Sequence, residues 1–485
     1  MIHATFRPVA PGPQPVRTPR RSALAAPLLA CAAIVLAGCA VMPPPARAPE
    51  LPAAEWSAPL PHEGSAQALA DWWSRFDDPS LAQLIDLAQR ENPTLAQAGQ
   101  RIVEARANVR VAGAALAPTL QANARTTRGN TLMIGAGLPA ATTMSSATLD
   151  ASWELDLFGA ARNREAAALA RVEGSRWQWH DARVSLAAEV ADAYVGLRMC
   201  EALVDLFDAQ ARSLATTESL TERKTDAGFA APADLALARA SAAEARSRAT
   251  AQRADCEVAL GQLAMLTAQP AAPLRASLAA RRAQLPEPRA FAVDAVPARV
   301  LSQRPDLAAA ERAALAAAAE VGAAQADRFP RLALTGSIGR SALHFAGQTL
   351  TGSTWSFAPS LAASLFDAGR REASVDAARA RLAIAEADWR ARALGAVREV
   401  EQALVRLDAA DHRLDDARRA VDGYRSFLDA ASAQWEVGAG SLLDLEQARR
   451  NAQNADVALV QTRRERVSAW LALYKAVGGG WTVTQ

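Results

Sequence analysis

The chain has 485 residues; 51% are hydrophobic, mostly alanine, and only 5% are aromatic. Helices can pack closely with such a composition, but a deep globular core of large side chains is not available. Net charge is +2, and loss of residues 1–38, which carry Arg7, Arg17, Arg20 and Arg21 and no acid, leaves −2, so no basic face for nucleic acid is indicated.

Residues 1–38 read as an export signal. Arg17, Arg20 and Arg21 precede an apolar segment, Ala23 to Ala37, that ends in Leu36-Ala37-Gly38-Cys39. The small residues before Cys39 fit a lipoprotein cleavage box, whose cysteine is acylated and becomes the new N-terminus; the plain alternative is an ordinary signal with an accidental cysteine. Ala40 rather than aspartate follows, which resembles the bacterial pattern for forwarding to the outer membrane. Several acyl chains together make a stable anchor, each buried methylene contributing about 0.8 kcal/mol. Residues 39–70 are rich in proline and alanine and read as an extended tether. The body of the chain contains no apolar run of the ~18 residues that a transmembrane helix needs.

A short helix is expected over Leu81–Arg90, with Leu81, Leu84, Ile85 and Ala88 on one face, and a second over Thr94–Ala117, ending before Pro118. From Thr119 the period changes to two. Strands are expected at about 119–129 and 147–158, where Leu149, Ala151, Trp153 and Leu155 alternate with Thr148, Asp150, Ser152 and Glu154. A glycine-rich loop, Gly129–Thr143, separates them. Helix follows from Gly159 to Ala227, a tight turn from Gly228 to Pro232, and a return helix from Ala233 to about Ala268.

The same order then recurs. Asp444 follows Gly438 as Asp234 follows Gly228; Glu399-Val400 answers Glu189-Val190; Arg304-Pro305-Asp306-Leu307 answers Asn92-Pro93-Thr94-Leu95. Two repeats are therefore assigned, 71–285 and 286–481, with 482–485 as a tail. The second has strands at about 331–341 and 353–366, a loop at Ala342–Gly352, and a helix from Gly369 to Val437. That helix places Val400, Leu407, Leu414, Val421, Leu428 and Trp435 seven residues apart, the mark of a coiled-coil seam. Twelve strand residues span roughly 40 Å, enough to cross an outer membrane when tilted. Four strands are too few to close a barrel, and a lipid-facing sheet tolerates no free edge, so several chains must contribute; three would supply twelve strands.

Cys200 and Cys256 each lie 28 residues from Gly228, on opposite arms of the first helical hairpin. In an oxidising periplasm this spacing argues for a disulfide; two buried thiols are the alternative. His3, His62, His180, His344 and His412 share no metal-ligand spacing, Gly135-Ala136-Gly137 precedes no helix, and no nucleophile constellation is present, so neither cofactor nor catalysis is expected.

The cleavage box ending at Cys39, Trp72-Trp73 with Phe76 and Asp78-Pro79, the paired Asn92-Pro93 and Arg304-Pro305, Asp156-Leu157-Phe158-Gly159, Leu365-Phe366-Asp367-Ala368-Gly369 and the ending Leu473 to Trp481 carry a resemblance. The chain resembles the outer-membrane lipoproteins of resistance–nodulation–division tripartite efflux pumps, the NodT branch of the TolC-like channels. The resemblance implies a mainly α fold with a transmembrane β-barrel: a homotrimer closing a 12-stranded β-barrel and a 12-helix α-barrel. It implies an exit duct that conducts drugs or other small solutes passively, with a periplasmic adaptor and an inner-membrane transporter as partners, outer-membrane lipid as surroundings, and no cofactor. Asp234 and Asp444 match positions of inward-facing aspartates at the family's periplasmic gate; a helix-capping role suits them equally well. The family's tyrosine and arginine latch does not carry over, its positions holding Trp435 and Gly440. Two rivals are the exit duct of a type I protein secretion system, whose members generally lack a lipid anchor, and a periplasmic coiled-coil scaffold, which has no use for apolar-out strands.

Overall fold

The computed structural model describes residues 72–132, 139–288, 303–345 and 347–479. The export signal, Cys39, the tether, the Gly135-Ala136-Gly137 segment, Trp481 and the tail lie outside the described residues. In chain order the elements are α1 (Pro79–Glu91), α2 (Pro93–Ala114), β1 (Thr119–Leu132), β2 (Pro139–Leu155), α3 (Ala160–Asp226), α4 (Pro232–Thr267), α5 (Ala271–Leu278), α6 (Pro305–Ala326), β3 (Arg331–Phe345), β4 (Gln348–Ala362), α7 (Arg370–Glu436) and α8 (Leu442–Ala476). They form two compact units, each drawing on both repeats. One comprises Ala115–Asn163 and Gly322–Ala373; the other comprises the remaining described residues, which are mostly helical.

The first unit is a four-stranded antiparallel sheet in the order β1-β2-β3-β4. Pairing runs on to Leu132↔Pro139 and Phe345↔Gln348, so the strands extend well into the expected loops. Thr and Asn prevail there in the first hairpin, whereas in the second Leu343, Phe345 and Leu350 stand on the face opposite the Ile338 row, so no single alternation runs through both; the ladder itself needs only backbone groups. At the opposite end β2 stops at Leu155 and β4 at Ala362, short of the expected 158 and 366, because β3 begins at Arg331 and offers no further partner.

In the second unit α3 and α7 have 67 residues each, and α4 and α8 have 36 and 35. At 1.5 Å per residue the long helices reach about 100 Å. On α7 the heptad residues Val400, Leu407, Leu414 and Val421 are buried, and Leu428 and Trp435 half-buried. The main core gathers Trp72, Phe76, Leu81, Tyr194, Leu263, Leu404, Trp470 and Leu473 from both copies. Trp72 is fully buried against Trp470 and Tyr474. Asp78 caps α1 by accepting from the amides of Ser80 and Leu81, and its other oxygen accepts from the Tyr194 hydroxyl at 2.8 Å. Helix α5 and the short 3-10 turn after it (Ala279–Arg281) have no counterpart in the expected elements. They hold the buried Arg198, which donates to the Leu278 carbonyl at 2.7 Å and pairs with Glu201.

Candidate functional site

The sheet sorts its side chains by register. Ala122, Leu149, Ile338 and Trp355 face one another across all four strands, and the next row is Leu120, Ala151, Gly336 and Phe357. Leu155, Leu332 and Leu361 follow on the same face. Ile338, Trp355, Phe357 and Leu361 are all well exposed in the single chain. The opposite face carries Asn123, Thr148 and Thr354, then Gln121, Asp150, Ser337 and Ser356. Asp150 accepts there from the Asn123 amide at 2.6 Å and from the Thr148 hydroxyl at 3.0 Å. Strands β1 and β4 each have one neighbour, so both edges of the sheet present unpaired backbone groups.

The two helical turns share one construction. At the end of α3 the Phe229 amide donates to the Lys224 carbonyl and Gly228 to Thr225; at the end of α7 Ala439 donates to Gln434 and Gly438 to Trp435. Both are Schellman caps, with Gly228 and Gly438 at φ +74° and +77°, the left-handed region that favours glycine. Phe229 and Val437 are exposed beside them, at 85% and 80%.

Asp234 and Asp444 both lie in the first turn of a return helix but in different settings. Asp444 shares a capping interaction: its amide donates to Ser441 Oγ at 3.1 Å, and the Ser441 hydroxyl lies 2.6 Å from its carboxylate. Helix α4 starts at Ala231-Pro232 with no side-chain cap, and the Asp234 carboxylate has no hydrogen bond or ion pair among the described residues. The Lys224 ammonium stands over the Trp435 ring at 4.5 Å, linking the ends of α3 and α7. Sequence reasoning missed this contact because it assigned Trp435 to the heptad seam. Farther from the turns, Arg449 of α8 pairs with the buried Glu446 and donates to the Thr217 hydroxyl at 2.5 Å, joining α8 to α3.

The sulfurs of Cys200 and Cys256 are bonded, with Cα atoms 5.5 Å apart, and the Gln252 amide donates to Cys200 Sγ at 3.0 Å. Among the described residues no cluster of three metal-ligating side chains occurs and no helix is long and apolar enough to cross a membrane.

The family described as Outer membrane efflux protein matches residues 84–269 and 296–479, one match for each repeat. The chain is 31% identical over 465 residues to the antibiotic efflux pump outer membrane protein ArpC of Pseudomonas putida, covering 93% of this chain and 95% of that one. It is 29% identical over 431 residues to nodulation protein T of Rhizobium leguminosarum bv. viciae, covering 87% and 88%. The solved outer-membrane channel OprN has a TM-score of 0.81 at 29% identity, covering 91% of this chain and 99% of that one.

Proposed function

Because this chain belongs to the outer membrane efflux protein family, in its nodulation protein T branch, and is an outer-membrane exit duct for efflux, we propose that it works as a homotrimer. Strand β1 of each copy pairs with β4 of the next, closing a twelve-stranded barrel with the Leu149–Ile338–Trp355 row toward lipid and the Asp150–Asn123 network toward a wet interior. The helices of three chains line a twelve-helix periplasmic duct. Drugs or other small solutes pass down it without chemistry, delivered by a periplasmic adaptor and an inner-membrane transporter. Cys39 carries the lipid anchor.

One observation carries this reading: a single chain forms a sheet with one apolar face, one polar face and two open edges. In hydrocarbon each unpaired backbone group costs several kcal/mol, so such edges must find partners. The Cys200–Cys256 bond holds the first hairpin as one rod. At the tips, three copies of Asp234 and of Asp444 form rings of like charge that favour cation entry, while Lys224 and Trp435 tie the two tips of each copy together. Phe229 and Val437 supply apolar contacts for the adaptor.

Planar-bilayer recording of the purified protein tests the assignment. The expected result is a stable conductance from a trimer, with conductance and cation preference altered by joint Asp234→Ala and Asp444→Ala substitution. A monomer without conductance overturns the duct; unchanged ion selectivity in the double variant overturns the rings.

A further inference from the structure

The apolar face of the sheet is also free of acid. Asp150 and Glu154 are the only carboxylates on the four strands, and both have the register of the opposite face. The apolar rows end at Ala124–Ala147–Arg340–Ser353. Two rows farther toward the strand-connecting turns stand Arg128, Thr143, His344 and Thr349. Between them lies a row with three hydroxyl side chains, Thr126, Ser145 and Thr351. Arg340 and Arg128 are exposed and have no ion pair among the described residues, whereas Arg331, of the other face, pairs with Asp327 and Glu154.

Two hollows meet at Arg340. One of ≈ 810 Å³ is lined by Ala122, Leu149, Ile338, Trp355 and Arg340; the other, of ≈ 540 Å³, by Thr126, Ser145, Thr351 and again Arg340. An apolar trough thus leads to a guanidinium and then to hydroxyls, the order of groups met along a lipid from its tails to its head.

We propose that this face binds a phosphorylated lipid of the outer leaflet, a reading that rests on this face being turned toward the membrane. An acyl chain lies in the trough of Leu149, Ile338 and Trp355. A phosphate ester takes the Arg340 fork in charge-assisted hydrogen bonds, and head-group hydroxyls meet Thr126, Ser145 and Thr351. The Arg128 row stands four residues, about 13 Å, farther along the strand. A glycerophospholipid with one phosphate reaches one basic row; a sugar head group with two phosphates reaches both. The occupant is therefore of the lipopolysaccharide class, and glycerophospholipid is the competing outcome.

The full-length protein in detergent is offered diphosphorylated lipid A, its dephosphorylated form or phosphatidylglycerol, and retained lipid is read by native mass spectrometry. Wild type should retain diphosphorylated lipid A in preference to both others, a comparison that needs no variant. Arg340→Gln should weaken retention roughly tenfold, Arg340→Lys should fall between, and Arg331→Gln, on the opposite face and outside both hollows, should match wild type. Equal retention of the dephosphorylated lipid or of phosphatidylglycerol, or wild-type binding by Arg340→Gln, overturns the proposal. Bilayer conductance of the same preparation separates the two claims: conductance without selective lipid retention overturns this inference alone, and its absence overturns the duct.

Discussion

Asn92 and Arg304 hold equivalent places in the two repeats and do one task with different chemistry. The Asn92 amide donates to the Leu266 carbonyl at 2.9 Å, and the Arg304 guanidinium donates to the Ala476 carbonyl at the same distance. Those carbonyls end the two return helices and lie at matching positions of the repeat, so each X-Pro pair fastens a helix start to a helix end. The prolines were legible as a repeated landmark; the partners, more than 170 residues away, were not. The two aspartates diverge likewise. Ser441→Ala should cost about 1 kcal/mol through loss of its cap, read as a lower melting temperature, whereas Ala231→Ser should raise it by supplying the cap that α4 lacks. His180 is a further case that spacing could not reveal. Burial beside Trp177 and Trp179 and the charge of Arg183 lower its pKa to about 4. The unfolded chain therefore takes up a proton as pH falls below about 6.5 and the native state does not. Stability from this group is complete above that range and is lost between pH 6.5 and about 4. Melting curves of His180→Phe should be less pH-dependent than wild type across that window; identical slopes would discard the assignment.

At the scale of elements, the two hairpins are built alike and tied differently. Cys200 and Cys256 join α3 to α4 covalently. The corresponding positions of the second repeat are Ala410 and Arg466, and Arg466 pairs with Asp411 instead. A cross-link closing 56 residues of sequence removes entropy from the unfolded chain worth about 2–4 kcal/mol, while a surface ion pair contributes about 0–1 kcal/mol. Paired Cys200→Ala and Cys256→Ala substitution should therefore lower the melting temperature more than Arg466→Ala, and reductant should reproduce the first effect in wild type alone. The heptad on α7 was readable because coiled-coil packing repeats in the sequence. The strand ends were not, because pairing continues as long as a neighbouring strand offers backbone groups, whatever the side chains.

At the scale of the whole molecule, the sheet's two faces make opposite predictions. Ile338→Lys places a charge on the apolar row and should cost about 2–4 kcal/mol in a membrane, lowering the amount of protein recovered in outer-membrane fractions. Thr148→Lys, on the polar face, should insert normally and change conductance; equal loss in both would show that the faces are not distinguished by lipid. The amino-acid sequence alone determined the repeat, the order of the long helices and the strands, the alternation of the sheet and the spacing of the two cysteines from their turn. Each follows from local periodicity or from landmarks that a single chain displays in line. Tertiary structure alone decided the register that carries one apolar row across four strands, the Lys224–Trp435 contact and the hollows meeting at Arg340. Those depend on which distant backbone groups and side chains come to lie opposite one another, a choice made by pairing and packing across more than a hundred residues rather than by any local pattern.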